Sequence, residues 1–333
     1  MNDATKSLVP ELIETISTTW KGALISAGMS CGIFDTIGSD EPVTLEKIAT
    51  KLKIDEQKLD HFLYCMILNN FITCTDGAYS LTEKGKLLTS TSEVKDVTGM
   101  LQLTEFYLNA AVHAKETFKT NSSLDKISDG KVTRDYQPKV SDNFSITLVD
   151  ILNRFNVGAN DTLLDVGCGS GSFLRMISTK IPEIKLTGME ANLFVIERGK
   201  KMNIDIGVSE RINLLVGDIT EDLTDVPSNS YDWITAINVF HFIPENKRIE
   251  LMENMVRIAR KGVFATETVI EASPIVSSGD GLMFLLWNDF EGFFRKSNLE
   301  IFNQKLAEKY KNYKFEIIEI MHGINNLLTI VKD

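Results

Sequence analysis

Asp165, Gly167, Gly169 and Gly171 occupy alternate positions in the run Leu163-Leu164-Asp165-Val166-Gly167-Cys168-Gly169-Ser170-Gly171-Ser172-Phe173-Leu174-Arg175. An apolar run ends in a carboxylate, a glycine turn follows, and an apolar helix-like segment begins. That order puts bare backbone at the carboxyl end of a strand, where open α/β sheets bind nucleotides. Glycine allows the sharp turn and lets a ligand approach the backbone. The spacing is G-x-G-x-G, and Ser172 stands where the third glycine of the dinucleotide fingerprint would fall. A carboxylate just before the turn suits an ammonium or hydroxyl group better than a pyrophosphate. The ligand this suggests is S-adenosylmethionine (SAM), whose amino-acid end is cationic.

Three more strands are predicted downstream. Residues 184–190 end in Glu190, where an acid accepts from ribose hydroxyls in nucleotide-binding sheets. Residues 212–219 end in Gly217-Asp218-Ile219, an acid for the adenine amine and an apolar side chain for the ring. Residues 231–239 contain Asn238, grouped here with the cofactor-binding residues, and Phe240-His241-Phe242 follow. Any one acid could be a turn or helix cap. Three at successive strand ends, in this order, are hard to explain that way.

With these residues in view, the chain resembles the class I SAM-dependent methyltransferases over roughly residues 150–333. The resemblance implies that Gly167, Gly169 and Gly171 hold the methionine end of SAM, Glu190 the ribose and Asp218 the adenine. Methyl transfer from SAM is an in-line displacement, so an enzyme mainly aligns donor and acceptor. A hydroxyl acceptor also needs its proton removed, and a phenol with a pKa of about 10 benefits from a general base. Of four histidines, His241 is the one at a strand end on the cofactor side. Likeness to the small-molecule O-methyltransferases makes His241 the base and Glu267, at the end of the fifth strand, its orienting carboxylate. The plant branch of that family has an aspartate directly after the histidine; Phe242 stands here, and Glu291 is only a loose candidate for the later acid. The other reading of His241 is a residue packed beside the cofactor.

Residues 282–294 are rich in large apolar groups. Helical spacing puts Met283, Trp287 and Phe290 on one face with Phe294 a turn further, a wall for a flat apolar acceptor or a core helix. Pro244 is expected as the first residue of a helix that Lys261-Gly262 ends. The segments 315–321 and 326–331 read as a terminal hairpin.

The elements before residue 150 must support this site. Leu8, Leu12, Ile16, Trp20, Ala23, Leu24 and Ala27 recur at helical spacing and predict one buried face. Thr44 and Asp55 are candidate caps for helices over 44–53 and 55–70. Asp76-Gly77 is a hairpin turn signal between short strands. Helix, helix and hairpin make a winged-helix pattern. The second helix carries Asp55, Glu56 and Asp60 beside only Lys58 and His61, a poor phosphate contact surface. Gly32-Ile33-Phe34-Asp35 and Tyr79-Ser80-Leu81-Thr82-Glu83-Lys84-Gly85 resemble the amino-terminal domain of the small-molecule O-methyltransferases, which implies a homodimer.

Composition bounds the alternatives. The 333 residues carry a formal net charge of −11, which disfavours nucleic acid as a partner. No apolar run approaches the ~18 residues of a membrane span. Cys31, Cys65, Cys74 and Cys168 show no metal-ligand spacing, so no metal is expected. With no basic leader and apolar block at the start, the chain reads as cytoplasmic. The expectation is an α/β chain. Residues 1–92 form a winged-helix-like dimerisation domain and 93–150 a helical linker over the substrate pocket. Residues 151–333 form a Rossmann-like SAM-binding sheet, mostly parallel with the last strand antiparallel. Its expected reaction is methylation of a hydroxyl on a small, apolar or aromatic metabolite. The alternatives are C-, N- or S-methylation, or a reaction that uses SAM without transferring its methyl group.

Overall fold

The computed structural model describes residues 3–38, 41–92, 94, 101, 104–120, 123–124, 152–272, 280, 282–283, 290–320 and 325–332. The chain divides into two compact units, Met1–Leu108 and Asn109–Asp333. Most of the expected linker, 93–150, lies outside the described residues.

The first unit begins with helix α1 (Asp3–Ser30) and a short α2 (Ile33–Ile37). Strand β1 (Val43–Thr44), α3 (Leu45–Leu52), α4 (Glu56–Leu68), β2 (Ile72–Thr75), β3 (Ala78–Leu81) and α5 (Glu83–Lys86) follow. Asp55 caps α4, its side chain accepting from the Lys58 N–H at 3.0 Å. Thr44 precedes α3 but makes no side-chain cap bond. Leu59, Leu63 and Met66 of α4 pack with Ile33, Phe34, Ile48 and Phe71 in one core. Asp76 and Gly77 have φ of 53° and 78°, as a two-residue primed turn requires. The strand order is β1-β3-β2; β1 is a two-residue strand that the sequence pattern did not separate from the helix after it. The apolar face expected to be buried along α1 is largely exposed. Leu12 is 62% and Trp20 72% exposed, and only the carboxyl half, at Leu24 and Ile25, joins the core.

The second unit contains α6 (Thr104–Thr120) in part, then β4 (Thr162–Val166), α7 (Ser172–Lys180), β5 (Lys185–Glu190), α8 (Leu193–Asp205) and β6 (Ile212–Val216). It continues with β7 (Tyr231–Ile237), α9 (Glu245–Ile258), β8 (Ala259–Thr268), α10 (Lys296–Lys309), β9 (Tyr313–Ile320) and β10 (Asn325–Lys332). Seven strands form one sheet in the order β6-β5-β4-β7-β8-β10-β9. The pairs β4–β5, β5–β6, β4–β7 and β7–β8 are parallel, and β10 runs antiparallel to both neighbours. Strand order reverses at β4, and the crevice outside the carboxyl ends of β4 and β7 is the switch point where such sheets take ligands.

Central strands covered on both faces read as unbroken apolar runs. Leu163 packs with α7 and α8 through Leu174, Ile177 and Ile196, while the next residue, Leu164, packs on the other face with Ile234, Met252 and Met255. Two boundaries differ from the sequence expectation. Pro244 precedes α9 as its cap residue, with ψ of 134°. Lys261 and Gly262 lie inside β8, because strand pairing starts at Ala259 opposite Tyr231 and resumes after an irregularity at Trp233 and Gly262.

Candidate active site at the carboxyl ends of β4, β7 and β8

The loop after β4 is held by backbone bonds to β5. The N–H groups of Gly167 and Cys168 both donate to the Met189 carbonyl, at 2.8 and 3.0 Å. Gly167 has φ of 69°, and a Cβ there would come within 2.7 Å of Val239, so this position requires glycine on two counts. Gly169 differs. Its φ is 53°, yet nothing lies within 4 Å of where its Cβ would be. The loop therefore presents open backbone at Gly169. Gly171 then leads into α7.

Four of the expected cofactor-site residues are polar side chains at or just past the ends of β4, β5, β6 and β7. Asp165 is buried and accepts from the Thr235 hydroxyl at 2.7 Å. Burial pushes its carboxyl up to about 7; the Thr235 bond opposes this and the Glu190 charge adds to it. Glu190 Oε2 accepts from the Gly169 N–H at 3.2 Å and Oε1 from the Asn192 N–H at 3.0 Å. Asp218 is exposed and its Oδ1 accepts from both the N–H and hydroxyl of Thr220, with Ile219 buried beside it. Asn238 has φ of 54° and engages its side chain inward: Oδ1 accepts from Asn325 Nδ2 at 2.7 Å.

On the other side of the crevice, His241 sits in a single 3-10 turn, Phe240–Phe242. It is 4% exposed. Its Nδ1 lies 2.8 Å from Glu267 Oε1, and its backbone N–H donates to Glu267 Oε2 at 3.0 Å. Glu267 Oε1 also accepts from the Thr268 N–H at 2.8 Å. A carboxylate among donors can only accept, so Nδ1 carries the proton, and Nε2, with no hydrogen-bond partner among the described residues, is the nitrogen that can act as a base. Among the described residues, three aromatic rings pack around the imidazole: Phe242 at 4.4 Å, Phe293 at 5.2 Å and Phe290 at 5.5 Å between centroids.

Met283 is buried, and Trp287 lies outside the described residues. The helical spacing expected to carry on to Phe294 does not hold. Residues 290–295 are not helical; Phe294 donates to Thr268 O and accepts from the Ile270 N–H, a parallel bridge alongside Val269. Those bonds compete with any helix, and Gly292 turns the chain with φ of 102°. The Glu291 N–H donates to the His241 carbonyl at 2.7 Å. Sequence reasoning missed Thr235, Asn325 and Phe293. Phe293 lies in the aromatic-rich run but off the expected helical face, and nothing short of the strand pairing marks Thr235 or Asn325.

These elements are compatible with a SAM cradle: open backbone at Gly169, a buried carboxylate at Asp165 that accepts from a neutral hydroxyl, and an acid on the adjoining strand. Comparison with known proteins agrees. Residues 163–262 match the methyltransferase domain family. The chain is 28% identical over 138 residues to an uncharacterized methyltransferase, C70.08c, of Schizosaccharomyces pombe, covering 40% of this chain and 49% of that protein. It thus spans about half the length of that relative. It is 22% identical over 316 residues to esculetin O-methyltransferase of Kitagawia praeruptora, covering 88% of this chain and 84% of that one. The structure of human N-acetylserotonin methyltransferase in complex with SAM superposes with a TM-score of 0.65 at 16% identity, covering 100% of this chain and 98% of that one. The fold is that of the Rossmann-like small-molecule O-methyltransferases.

Proposed function

We propose that this chain, whose residues 163–262 form a methyltransferase domain, transfers a methyl group from SAM to a hydroxyl of a small apolar or aromatic metabolite. The observation that carries the reading is the buried Glu267–His241 pair, with Nδ1 2.8 Å from the carboxylate and the imidazole set among aromatic rings. Similarity to esculetin O-methyltransferase supports a hydroxyl acceptor.

SAM, when bound, supplies an activated methyl group. The turn made by Gly167, Gly169 and Gly171 holds its amino-acid end, with open backbone at Gly169 and the Asp165 carboxylate to balance the ammonium. Glu190 takes the ribose, Asp218 and Ile219 the adenine, and Asn238 braces the turn that follows β7. His241 takes the acceptor proton on Nε2, and Glu267 fixes the tautomer and stabilises the imidazolium that forms. Phe290 and Met283 wall the acceptor pocket, and a buried aromatic wall around the base favours a flat acceptor.

The first unit serves a homodimer. Exposed Leu12, Ile13, Ile16 and Trp20 on α1 support that reading, since so many large apolar groups on one helix favour a covering partner. All four cysteines are free thiols, consistent with a reducing cytoplasm. No described helix is long and apolar enough to cross a membrane.

The test begins with calorimetric titration of the chain with S-adenosylhomocysteine (SAH). Transfer of label from methyl-labelled SAM to a panel of phenols, amines, thiols and activated carbon acids comes next. Label on phenols alone upholds the reading. Label on amines, thiols or carbon, undiminished by removing His241, replaces it with transfer that needs no base. No SAH binding rejects both.

A further inference from the structure

Arg248 projects from the first turns of α9 and is 4% exposed. Its guanidinium makes two bonds in different directions. Nε donates to the Ile243 carbonyl at 2.9 Å, at the end of the turn that carries His241. Nη2 donates to the Gly292 carbonyl at 3.1 Å, between Phe290 and Phe293. Its central carbon stands 4.5 Å over the Phe294 ring, a cation–π contact in a desolvated site. The same two segments meet once more, through the Glu291 N–H on the His241 carbonyl. One side chain therefore spans the turn bearing the imidazole and the segment bearing two of the three rings around it.

The charge is also placed with purpose. Burial pulls the Arg248 guanidinium down from its ordinary value, while the carboxylates of Glu267, Glu245 and Glu291 push it back up. Glu267, buried and receiving three N–H donors, has Arg248 as a nearby cation. A lysine in this place offers one point of charge. A guanidinium offers a planar fork that reaches two carbonyls and stacks on a ring.

We propose that Arg248 is a positioning residue for His241: its guanidinium fixes the spacing between the His241 turn and the Phe290–Phe293 wall and keeps the imidazole on Glu267. It touches no reacting atom and acts through His241. The proposal rests on the reading of His241 as the base. Its structural core, that Arg248 holds the His241–Glu267 bond closed, is measurable without an acceptor.

The test follows the Nδ1 proton of His241 by NMR as a low-field imidazole resonance, assigned by its loss in His241→Gln. A short bond to a carboxylate moves such a proton downfield and slows its exchange with water. In Arg248→Met, exchange is expected to accelerate about ten- to a hundredfold, the range for losing a hydrogen bond to a charged group. SAH affinity is expected to stay within about twofold, because the contacts of Arg248 run to Ile243, Gly292 and Phe294 on the acceptor side. Arg248→Lys keeps the charge but not the fork, so its exchange also accelerates, by less. Lys decides the matter if the Met variant does not fold. A wild-type exchange rate in either variant overturns the proposal. If the wild type binds no SAH, the functional reading fails while the exchange result still decides the role of Arg248. Once an acceptor is found, Arg248→Met is expected to lower kcat with little change in KM for SAM; the reverse pattern also overturns the proposal.

Discussion

The backbone N–H of Gly169 donates to the Glu190 carboxylate across 3.2 Å, joining the loop after β4 to the acid at the end of β5. The second oxygen of the same carboxylate accepts from Asn192, which in turn caps α8 through Phe194. The acid that serves the ribose in the proposed function also sets the shape of the glycine loop. Loss of Glu190 therefore takes the acceptor from the Gly169 N–H, in addition to the ribose contact of the proposed function.

Glu190→Ala is expected to weaken SAH binding about ten- to a hundredfold, since a bond to a charged group is worth roughly 1.5–3 kcal/mol. Titration with SAH and with its 2′-deoxy analogue checks this. The analogue binds the wild type less tightly than SAH, and the variant loses little more on the same change. Simple additivity of the two losses would show that Glu190 does not hold the ribose.

Asp165 predicts a pH dependence. Burial, with the Glu190 charge, holds its carboxyl at about 7 against an ordinary 3.8. A raised carboxyl favours the folded state most at low pH, and that contribution is lost as pH rises from about 3.8 through about 7. Asp165→Asn is therefore expected to raise the Tm of the ligand-free chain above neutral pH. A cationic ligand end beside the carboxylate reverses the balance and expels the proton. Wild-type SAH affinity should rise as pH rises through about 7, with proton release visible in calorimetry across buffers of different ionisation enthalpy. Affinity flat with pH in the wild type, or equally steep in Asp165→Asn, counts against this.

His241→Ala is expected to lower turnover by roughly 10²–10⁴ while SAH affinity stays nearly unchanged, the usual contribution of a general base. Glu267→Gln should cost less: the amide oxygen still accepts from Nδ1–H, but the imidazolium loses its counter-charge. Single-turnover methyl transfer across pH measures both. A full rate in His241→Ala returns His241 to a packing role.

Trp20→Glu and Leu12→Glu on α1 are expected to convert the proposed dimer into a folded monomer, because both side chains are exposed in the single chain, with a Tm that no longer depends on protein concentration. Sedimentation velocity at micromolar concentration is the measurement. A wild-type monomer, or a dimer that tolerates both charges, removes α1 from the interface.

Much of this arrangement is legible in the sequence, and the limit is physical. A strand that ends at a ligand crevice announces itself by an apolar run, a charged residue and a glycine, all local; β4 reads that way, and β5 shares the terminal acid. The meeting of His241 with Glu267 is legible because adjacent parallel strands, β7 and β8, end at the same level of one sheet. Partners set by tertiary reach are not. Asn238 reads as a polar residue near a ligand, but its side chain turns to Asn325 on an antiparallel strand far along the chain. Arg248 reads as one charge in a polar helix, and only the fold encloses it. Phe290 and Phe294 suit one helical face by spacing, yet the backbone there is not helical and Phe294 bridges to Val269 just past the end of β8. The α1 stripe has helical periodicity, which reports that a face is apolar and not what covers it.

The sheet order has a consequence for how this chain can change. The donor-side residues, Asp165 through Ile219, come from β4, β5, β6 and the loops after them. The acceptor-side residues, His241 through Phe294, come from the turn after β7, from β8 and from the segment leading into α10. In the proposed function the two recognition tasks thus occupy largely successive stretches of one chain, with Asn238 and Thr235, the partner of Asp165, as the donor-side exceptions after β6, and they meet along the β4–β7 seam. A recombination breakpoint between Ile219 and Tyr231 inherits most of the donor site from one parent and the acceptor side from another, provided the second parent also supplies Thr235 and Asn238. Descendants of such a scaffold can diversify what they modify while the group they donate stays constant.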